Sequence, residues 1–249
     1  MEKRRLLEGK RVLVTGASRG LGRTLCQTFS REGASIALNY ANDTDAANET
    51  VAAIEANGGR VCAFRVSVLD AAGLAKMVKQ LEQEWGGIDI LVNNAGISQP
   101  LPIALMEEED WDAVMDVNIK GQFLATRAVL RGMIRRKSGC ILNIGSLAGI
   151  RLIEAPIHYC ASKAAVKGFT EALSKEVARY NIRVNCLAPG LLDEGVAQNL
   201  PEYRVKEFLK HVSLHRKGTM QEVADFATFL ISDRNSYMNG ATIVIDGGL

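Results

Sequence analysis

Short apolar runs alternate with longer amphipathic segments along most of the chain. Strands are predicted where these runs are rich in Val, Ile, Leu and Ala, at residues 11–15, 35–39, 61–66, 88–92, 140–144, 182–187 and 242–245. Helices are predicted between them, at residues 21–32, 44–57, 71–85, 107–117, 121–136, 158–180 and 221–231. Strands that alternate with long helices are joined by right-handed crossovers. The pattern therefore predicts the α/β class, as one doubly wound domain over residues 1–249 with a seven-stranded parallel sheet and helices on both faces.

The alternation breaks after the sixth predicted strand. From Ala188 to about Leu200 the chain is polar and has no clear period until residues 202–211. Long loops in compact domains are often lids or binding loops, although a plain surface insertion has the same pattern. We predict a substrate lid at residues 188–215.

Composition narrows the class of protein without naming a function. Hydrophobic residues make up 47% of the 249 residues and charged residues 23%, with a net charge of +2. These values are typical of a globular protein and predict neither a nucleic-acid nor a membrane partner. The five cysteines lie in apolar segments without a Cys-x-x-Cys, which favours a reducing, cytoplasmic location. The three histidines lack metal-ligand spacing, so no metal is expected.

A glycine-rich turn joins the first predicted strand to the first helix, in the run Thr15-Gly-Ala-Ser-Arg-Gly-Leu-Gly22. There Gly16 permits a tight turn, Gly20 lets the backbone approach a pyrophosphate, and Gly22 allows close packing of helix on strand. The helix N-terminus adds amide donors and a partial positive charge. The sequence therefore predicts a Rossmann-type dinucleotide site at this junction.

The end of the second predicted strand bears on the choice of dinucleotide. NAD sites usually place an acid there to hold the ribose hydroxyls. This strand ends in Asn39-Tyr40-Ala41, and Arg19 in the turn could pair with a 2′-phosphate. We therefore favour NADP over NAD, while Arg19 as an ordinary exposed turn residue remains the alternative.

Tyr159 and Lys163 are four residues apart on a predicted helix, so their side chains share one face. A phenol normally loses its proton near pH ~10, and an adjacent ammonium group lowers that pKa. The spacing favours a proton donor and acceptor tuned toward neutral pH, with Ser146 upstream. The alternative is a packed ring beside a solvated amine.

Together these features resemble the short-chain dehydrogenase/reductase family over nearly the whole chain. The family motifs match, in order, the turn at residues 15–22, Asn-Asn-Ala-Gly at 93–96, Asn118, Ser146, Tyr159 with Lys163, and Pro189-Gly190. In appearance the chain is most similar to the 3-oxoacyl-(acyl carrier protein) reductases of this family, although many alcohol dehydrogenases share the scaffold.

The resemblance implies hydride transfer in which Tyr159 gives its proton to a substrate carbonyl. Lys163 would lower the pKa of Tyr159 and hold the nicotinamide ribose, and Ser146 would hydrogen-bond the reacting oxygen. Asn118 would anchor a water that reaches Lys163. The expected cofactor contacts are Gly16, Ser18, Arg19, Gly20, Leu21, Gly22, Asn39, Tyr40, Ser67, Val68, Asn94, Ala95, Gly96, Tyr159, Lys163, Pro189, Gly190 and Leu192.

Two departures from the family pattern carry information. Ser67-Val68 stands where the family often has an Asp that accepts a hydrogen bond from adenine. Asp193-Glu194 stands where a Thr commonly contacts the cofactor, and two acids beside an anionic group are unexpected. We expect them either to point outward or to select against acidic substrates.

The resemblance leaves several functions open. It implies an NADPH-dependent ketoreductase acting on a 3-oxoacyl thioester, with an NAD(P)-dependent secondary-alcohol, sugar or steroid dehydrogenase as the alternative. A non-catalytic dinucleotide sensor is disfavoured because all four catalytic positions are kept. Arg131 matches a position that docks acyl carrier protein, although its basic cluster on residues 127–137 could be a solvated face. A homotetramer or dimer is also implied.

Overall fold

The computed structural model describes residues 5–195 and 201–249. Its core is one parallel sheet in the order β3-β2-β1-β4-β5-β6-β7. The strands are β1 (Arg11–Val14), β2 (Ser35–Tyr40), β3 (Val61–Arg65), β4 (Ile90–Asn93), β5 (Gly139–Ile144), β6 (Ile182–Pro189) and β7 (Thr242–Ile245). The predicted class, a seven-stranded parallel sheet with Rossmann-like topology, is confirmed.

Helices connect the strands and lie on both faces of the sheet. They are α1 (Gly20–Arg31), α2 (Thr44–Glu55), α3 (Ala71–Trp85), α4 (Glu108–Met115), α5 (Gly121–Arg136), α6 (Ile157–Val177), α7 (Glu202–His211) and α8 (Met220–Ile231). The predicted helix at 107–117 ends earlier than expected, because a π-helical turn (Asp116–Lys120) separates α4 from α5. The predicted helix at 158–180 ends in a 3₁₀ turn (Ala178–Tyr180).

Alternation along the buried strands builds two cores, one on each face. Val12 and Val14 of β1 point into a core that includes Phe29 of α1 and Leu230 of α8, whereas Leu13 points into the other. That second core also contains apolar side chains of α3, α5 and α6, namely Leu74, Leu81, Val129, Met133 and Val177. Burial on both faces explains why the strands are nearly continuous apolar runs.

The strand order reverses between β1 and β4. The chain builds outward from β1 through β2 to β3, then returns to the other side of β1 and continues through β4 to β7. At such a switch point the loops after the two central strands diverge and leave a crevice at their carboxyl ends. The glycine-rich turn after β1 and the Asn-Asn-Ala-Gly segment after β4 therefore meet there.

The predicted lid at 188–215 is only partly covered, since residues 196–200 lie outside the described residues. Leu192 pairs with Gly218 in an isolated parallel bridge, and α7 occupies the second half of the segment. Beyond α7, the N–H groups of Ser213 and Leu214 donate to the carbonyls of Gly248 and Gly247. The C-terminal residues thus anchor the end of this segment. Within the two described ranges, no helix is both long and apolar enough to cross a membrane.

An ion pair closes the opposite, amino-terminal edge of the sheet. Arg11 donates to both carboxylate oxygens of Asp89, from Nε at 2.7 Å and from Nη2 at 2.6 Å, and its backbone N–H donates to Oδ2 at 3.0 Å. Burial by itself would raise the pKa of Asp89, but the hydrogen bonds from Arg11 outweigh it and hold that pKa below its usual value.

We expect Asp89→Asn to lower the free energy of unfolding by about 2 kcal/mol at pH 7, because charge-assisted hydrogen bonds are replaced by weaker ones. The depressed pKa means that this contribution is fully present above about pH 4 and is lost as the pH falls through the folded value. Urea denaturation at pH 7 and in the acid range measures both effects.

The matched control is Asp233→Asn, which breaks the Lys10–Asp233 pair, whose Asp233 side chain is 80% exposed. Exposed pairs contribute at most about 1 kcal/mol. An equal loss of stability in both variants would contradict the assignment of Arg11–Asp89 as the stabilising pair.

Candidate active site

The glycine-rich turn is pressed against the segment that follows β4. Gly16 has a φ of 62°, and a Cβ placed on it would lie 2.7 Å from the Cα of Ala95. A Cβ on Gly22 would lie 2.6 Å from Nδ2 of Asn94. Both positions require glycine, as the sequence predicted for a tight turn and for close helix packing.

Thr15 and Asn94 tie the two loops together. Asn94 Nδ2 donates to the carbonyls of Thr15 at 3.0 Å and Gly16 at 2.9 Å. In return, Thr15 Oγ1 accepts the N–H groups of Asn94 and Ala95, each at 3.1 Å. These four hydrogen bonds hold the crevice at the switch point in one shape.

The start of α1 fits the phosphates of a dinucleotide. Gly20 has a φ of 55°, and a Cβ placed there would meet nothing within 4 Å, so the backbone faces open space. The first turn of α1 contains no acidic residue. Free amide donors at a helix N-terminus, with no competing carboxylate in that turn, are suited to a pyrophosphate.

The end of β2, where the adenosine ribose is expected to bind, differs from expectation in one respect. Asn39 is 1% exposed, and its Nδ2 donates to the Val66 carbonyl at 2.6 Å, so its side chain braces β2 against β3. Beyond β2, however, Asp43 lies 3.7 Å from Nη1 of Arg19. We expected no acid at this edge from the residues of the strand itself; the acid is the N-cap residue that precedes α2.

The predicted adenine contacts lie on the loop after β3. Ser67 is exposed, and its Oγ accepts the backbone N–H of Leu69 at 3.2 Å. Val68 is buried, and a Cβ on Gly121 would lie 2.7 Å from its side chain. Ser67 therefore stands at the surface of this edge, while Val68 packs behind it.

Lys163 is buried beneath the tip of β5. Its Nζ donates to the Ile144 carbonyl at 2.9 Å and lies 5.8 Å from the centre of the Tyr159 ring. Burial lowers the pKa of Lys163 to about 8, against a smaller opposing effect of Cys186. The ammonium group can therefore change its protonation state near neutral pH, which is uncommon for lysine.

In this structure the largest influence on the pKa of Tyr159 is burial, not Lys163. Burial raises the pKa of Tyr159, and the neighbouring Ser146 side chain lowers it by less. The i, i+4 spacing does bring the two side chains together, but the Ile144 carbonyl, which no helical pattern reveals, holds the ammonium group. In the absence of other groups the phenol therefore keeps its proton at neutral pH.

Ser146 stands at the end of β5, where a short 3₁₀ turn (Leu147–Gly149) leads toward α6. Its Oγ accepts the backbone N–H of Ala148 at 3.2 Å. Because the oxygen acts as the acceptor there, the hydroxyl hydrogen stays available to donate. Ser146, Tyr159 and Lys163 thus converge at the carboxyl edge of β5, as the sequence predicted.

Asn118 is buried in the π-helical turn and clamps the loop after β4. Its Oδ1 accepts the N–H of Ile97 at 2.8 Å, and its Nδ2 donates to the Ile97 carbonyl and to Ser162 Oγ, each at 2.9 Å. A Cβ on Gly96 would lie 3.3 Å from Asn118 Oδ1 and 3.5 Å from Lys163 Nζ. π-Helical turns occur often at functional sites, and this one places Asn118 and Lys163 on either side of Gly96.

Four contributors at this site were missed from the sequence. Ser162 and Ile97 hold Asn118, Asp43 faces Arg19, and His158 accepts the Tyr159 N–H on its Nδ1 at 3.0 Å. His158 is fully buried, and burial lowers its pKa. For Ser162 the signal was available, since it follows Tyr159 by three residues on the same helix. The contacts of Ile97 and Asp43 depend on loops that only the fold brings together.

The loop after β6 approaches the same crevice. A Cβ on Gly190 would lie 2.9 Å from Asp246 Cα, so only glycine fits between the ends of β6 and β7. In the Leu192–Gly218 bridge, Gly218 donates to Leu191 and Asp193 donates to Gly218. The backbone N–H and C=O of Leu192 therefore face away from Gly218, consistent with the predicted cofactor contact.

The two unexpected acids have different surroundings. Asp193 Oδ1 accepts the backbone N–H of Met220 at 3.3 Å, at the first turn of α8. A carboxylate at a helix N-terminus is favourable, so Asp193 has a structural partner. Glu194 is exposed. For Asp193, the expectation of a side chain turned away from the cofactor fits this contact.

Comparison with known proteins gives consistent results. A family model described as enoyl-(acyl carrier protein) reductase matches residues 16–249. The chain is 41% identical to a 3-oxoacyl-[acyl-carrier-protein] reductase FabG of Thermotoga maritima, over 98% of each chain. It is 39% identical to a 3-oxoacyl-[acyl-carrier-protein] reductase of Synechocystis sp., over 95% of each.

Solved structures agree. A gluconate 5-dehydrogenase from Burkholderia cenocepacia, in complex with NADP and tartrate, superposes with a TM-score of 0.92 at 34% identity, covering 99% of this chain and 97% of that one. A putative short-chain alcohol dehydrogenase from Sinorhizobium meliloti gives a TM-score of 0.89 at 36% identity, covering 97% and 96%.

Fold, site and relatives together define an oxidoreductase that acts on CH–OH or C=O groups. The chain belongs to the short-chain dehydrogenase/reductase family.

The depressed pKa of Lys163 can be measured without substrate. In an NMR titration of the free protein with labelled lysine side chains, we expect one lysine to lose its proton near pH 8, because burial disfavours the ammonium form. That signal should vanish in Lys163→Arg and persist in Lys167→Arg, an exposed position one turn further along α6. Titration of every lysine near its ordinary pKa of about 10.4 would refute the burial argument.

Proposed function

We propose that the chain is an NADPH-dependent ketoreductase that reduces the carbonyl of a 3-oxoacyl thioester to the secondary alcohol. The observation that carries this proposal is the convergence of Ser146, Tyr159 and Lys163 at the carboxyl edge of the sheet, the edge that also carries the open N-terminus of α1. The relatives named 3-oxoacyl-[acyl-carrier-protein] reductase support the choice of substrate class.

Residues of this chain would act on the substrate as a proton donor and as a hydrogen-bond donor to its carbonyl oxygen. The bound nicotinamide supplies the hydride. Tyr159 is protonated at neutral pH because burial raises its pKa, so it starts as the donor that a reduction requires. Ser146 Oγ–H would donate to the carbonyl oxygen that Tyr159 protonates and would stabilise the charge that develops there.

Lys163 would restore the proton that Tyr159 gives away. A pKa of about 8 lets its ammonium group release and regain a proton close to neutral pH. Asn118 and Gly96 border the space around Nζ. The second lone pair of Asn118 Oδ1 would accept a hydrogen bond from a water that reaches Lys163. Lys163 would also donate to the nicotinamide ribose.

Apolar side chains around the carboxyl edge support an acyl substrate. Ile103 and Leu105, after β4, are 68% and 67% exposed, and Leu152, after β5, is fully exposed. Arg204 of α7 pairs with Glu154 at 2.6 Å, which ties the proposed lid to the loop that carries Leu152. These groups would flank a chain that enters beside Tyr159.

Surface features support the partners that we propose. Arg131 is exposed on α5 and is suited to dock an acidic carrier protein, the source of an acyl thioester. Phe123 of α5 is 45% exposed and Trp111 of α4 is 37% exposed, which favours assembly into a dimer or tetramer. Residues 1–249 would form one catalytic domain, with 188–215 as its lid.

Turnover of acetoacetyl-CoA with NADPH tests the reaction. We expect Tyr159→Phe to lower kcat by about a hundred- to ten-thousandfold, because the proton donor is lost while the ring remains. Tyr180→Phe, at the far end of α6, should retain full activity. Both variants should bind NADPH as the wild type does, measured by fluorescence titration.

Three outcomes separate the alternatives. Unchanged turnover in Tyr159→Phe would favour a non-catalytic dinucleotide sensor or another proton donor. Oxidation of secondary alcohols or sugar acids without thioester turnover would favour the dehydrogenase alternative, whose representative is the gluconate 5-dehydrogenase neighbour. Thioester reduction that stops in Tyr159→Phe supports the proposal.

The cofactor is tested by binding. Arg19 is 80% exposed at the start of α1, where its guanidinium group would contact a 2′-phosphate. We expect Arg19→Gln to weaken NADPH binding about tenfold and to leave NADH binding unchanged, since only NADPH carries that phosphate. Equal effects on both cofactors in calorimetric titrations would contradict this role of Arg19.

A further inference from the structure

We propose that Asp43 is a specificity-determining residue that reduces the discrimination between NADPH and NADH by placing a fixed carboxylate beside Arg19. The proposal rests on the function above, in which Arg19 meets the 2′-phosphate. It concerns a residue outside the glycine-rich turn and outside the strand end where such an acid is expected.

The contact spans the gap between two loops. Arg19 immediately precedes α1, and Asp43 immediately precedes α2, so the two residues face each other from the carboxyl ends of the adjacent strands β1 and β2. Nη1 of Arg19 and Oδ2 of Asp43 are 3.7 Å apart. In a dinucleotide site of this topology, the adenosine ribose lies over that gap.

Asp43 is held by α2 and not by Arg19. Its Oδ1 accepts the N–H of Ala46 at 3.0 Å, as the N-cap of the helix, and its backbone carbonyl accepts the N–H of Ala47. A negative charge at a helix N-terminus is favourable. The carboxylate therefore keeps its place when Arg19 turns toward another anion.

Two neighbouring arginines are engaged elsewhere. Arg23 Nε donates to the Ser18 carbonyl at 3.2 Å, and its Nη2 pairs with Glu49 at 3.0 Å. Arg65 Nε donates to the Ala41 carbonyl at 3.4 Å. Arg19 is thus the cation best placed for a phosphate. The Asp43 carboxylate beside it partly neutralises its positive charge.

The sign of the effect follows from these positions. A 2′-phosphate that approaches Arg19 must come close to the Asp43 carboxylate, and this repulsion offsets part of the attraction to Arg19. The 2′-hydroxyl of NADH carries no charge and can donate to a carboxylate. Asp43 therefore disfavours NADPH relative to NADH, although Arg19 still favours NADPH.

Asp43→Asn tests this inference, because Asn keeps the cap acceptor and removes only the charge. We expect the dissociation constant of NADH divided by that of NADPH to rise about fivefold, as for an exposed ion pair worth about 1 kcal/mol. Calorimetric titration with 2′,5′-ADP and with 5′-AMP should give the same shift without turnover. The shift should shrink in high salt.

Asp70→Asn is the matched control. Asp70 caps α3 through the same contact, from its Oδ1 to the N–H of Gly73 at 2.9 Å, and lies one strand further along the same edge. The Asp70→Asn variant removes an equal charge and should leave the ratio of the two dissociation constants close to that of the wild type. Equal ratios in the wild type and Asp43→Asn, or equal shifts in both variants, would overturn the inference about Asp43.

Failure of the underlying cofactor proposal would look different. In that case the wild type would bind 5′-AMP as tightly as 2′,5′-ADP, and Arg19→Gln would leave the ratio unchanged. If the wild type prefers 2′,5′-ADP and Asp43→Asn does not increase that preference, only the role of Asp43 is refuted.

Discussion

The contact between the glycine-rich turn and the Asn94–Ala95 segment is the constraint on which the rest of the site depends. It joins the carboxyl ends of β1 and β4, the two strands at which the order of the sheet reverses. Because Gly16 and Gly22 have no side chain, the two loops approach within van der Waals contact and leave the amides of α1 facing open space. A larger residue at either position would separate the loops and move every group arranged around them.

Buried polar contacts connect that junction to the proton-transfer groups. The loop after β4 is held by Asn118, Asn118 is held by Ser162, and Ser162 stands one residue before Lys163. Buried polar groups are costly when unpaired, so each partner restricts the position of the next. Burial in these surroundings disfavours the charged form of both side chains, which raises the pKa of Tyr159 and lowers that of Lys163. Desolvation thus moves the two pKa values apart, so that the phenol holds its proton more tightly than the ammonium group does, without a hydrogen bond between them.

Charges near the crevice are distributed so that α1 faces open space while acids cap other helices. Asp193 meets the first turn of α8, and Asp43 and Asp70 cap α2 and α3. Asp193, Asp43 and Asp70 thereby gain helix N-termini as partners. Asp43 is the exception with a second partner, since the same carboxylate also reaches toward Arg19.

By itself the sequence determined the fold class, the strand and helix order and the identity of the site motifs. Periodicity reports which faces are buried, and spacing on one helix places Tyr159 and Lys163 together. Some differences were local: the π-helical turn at Asp116–Lys120 shortens the helix predicted at 107–117 and fills the gap before the next predicted helix. Only the tertiary structure decided that Ile144 holds Lys163, that Ile97 holds Asn118 and that Asp43 faces Arg19. These partners are distant in sequence, and two of the three involve backbone groups that every residue carries. A pattern of side chains cannot report them, since the carboxyl ends of the strands meet only after the sheet has formed.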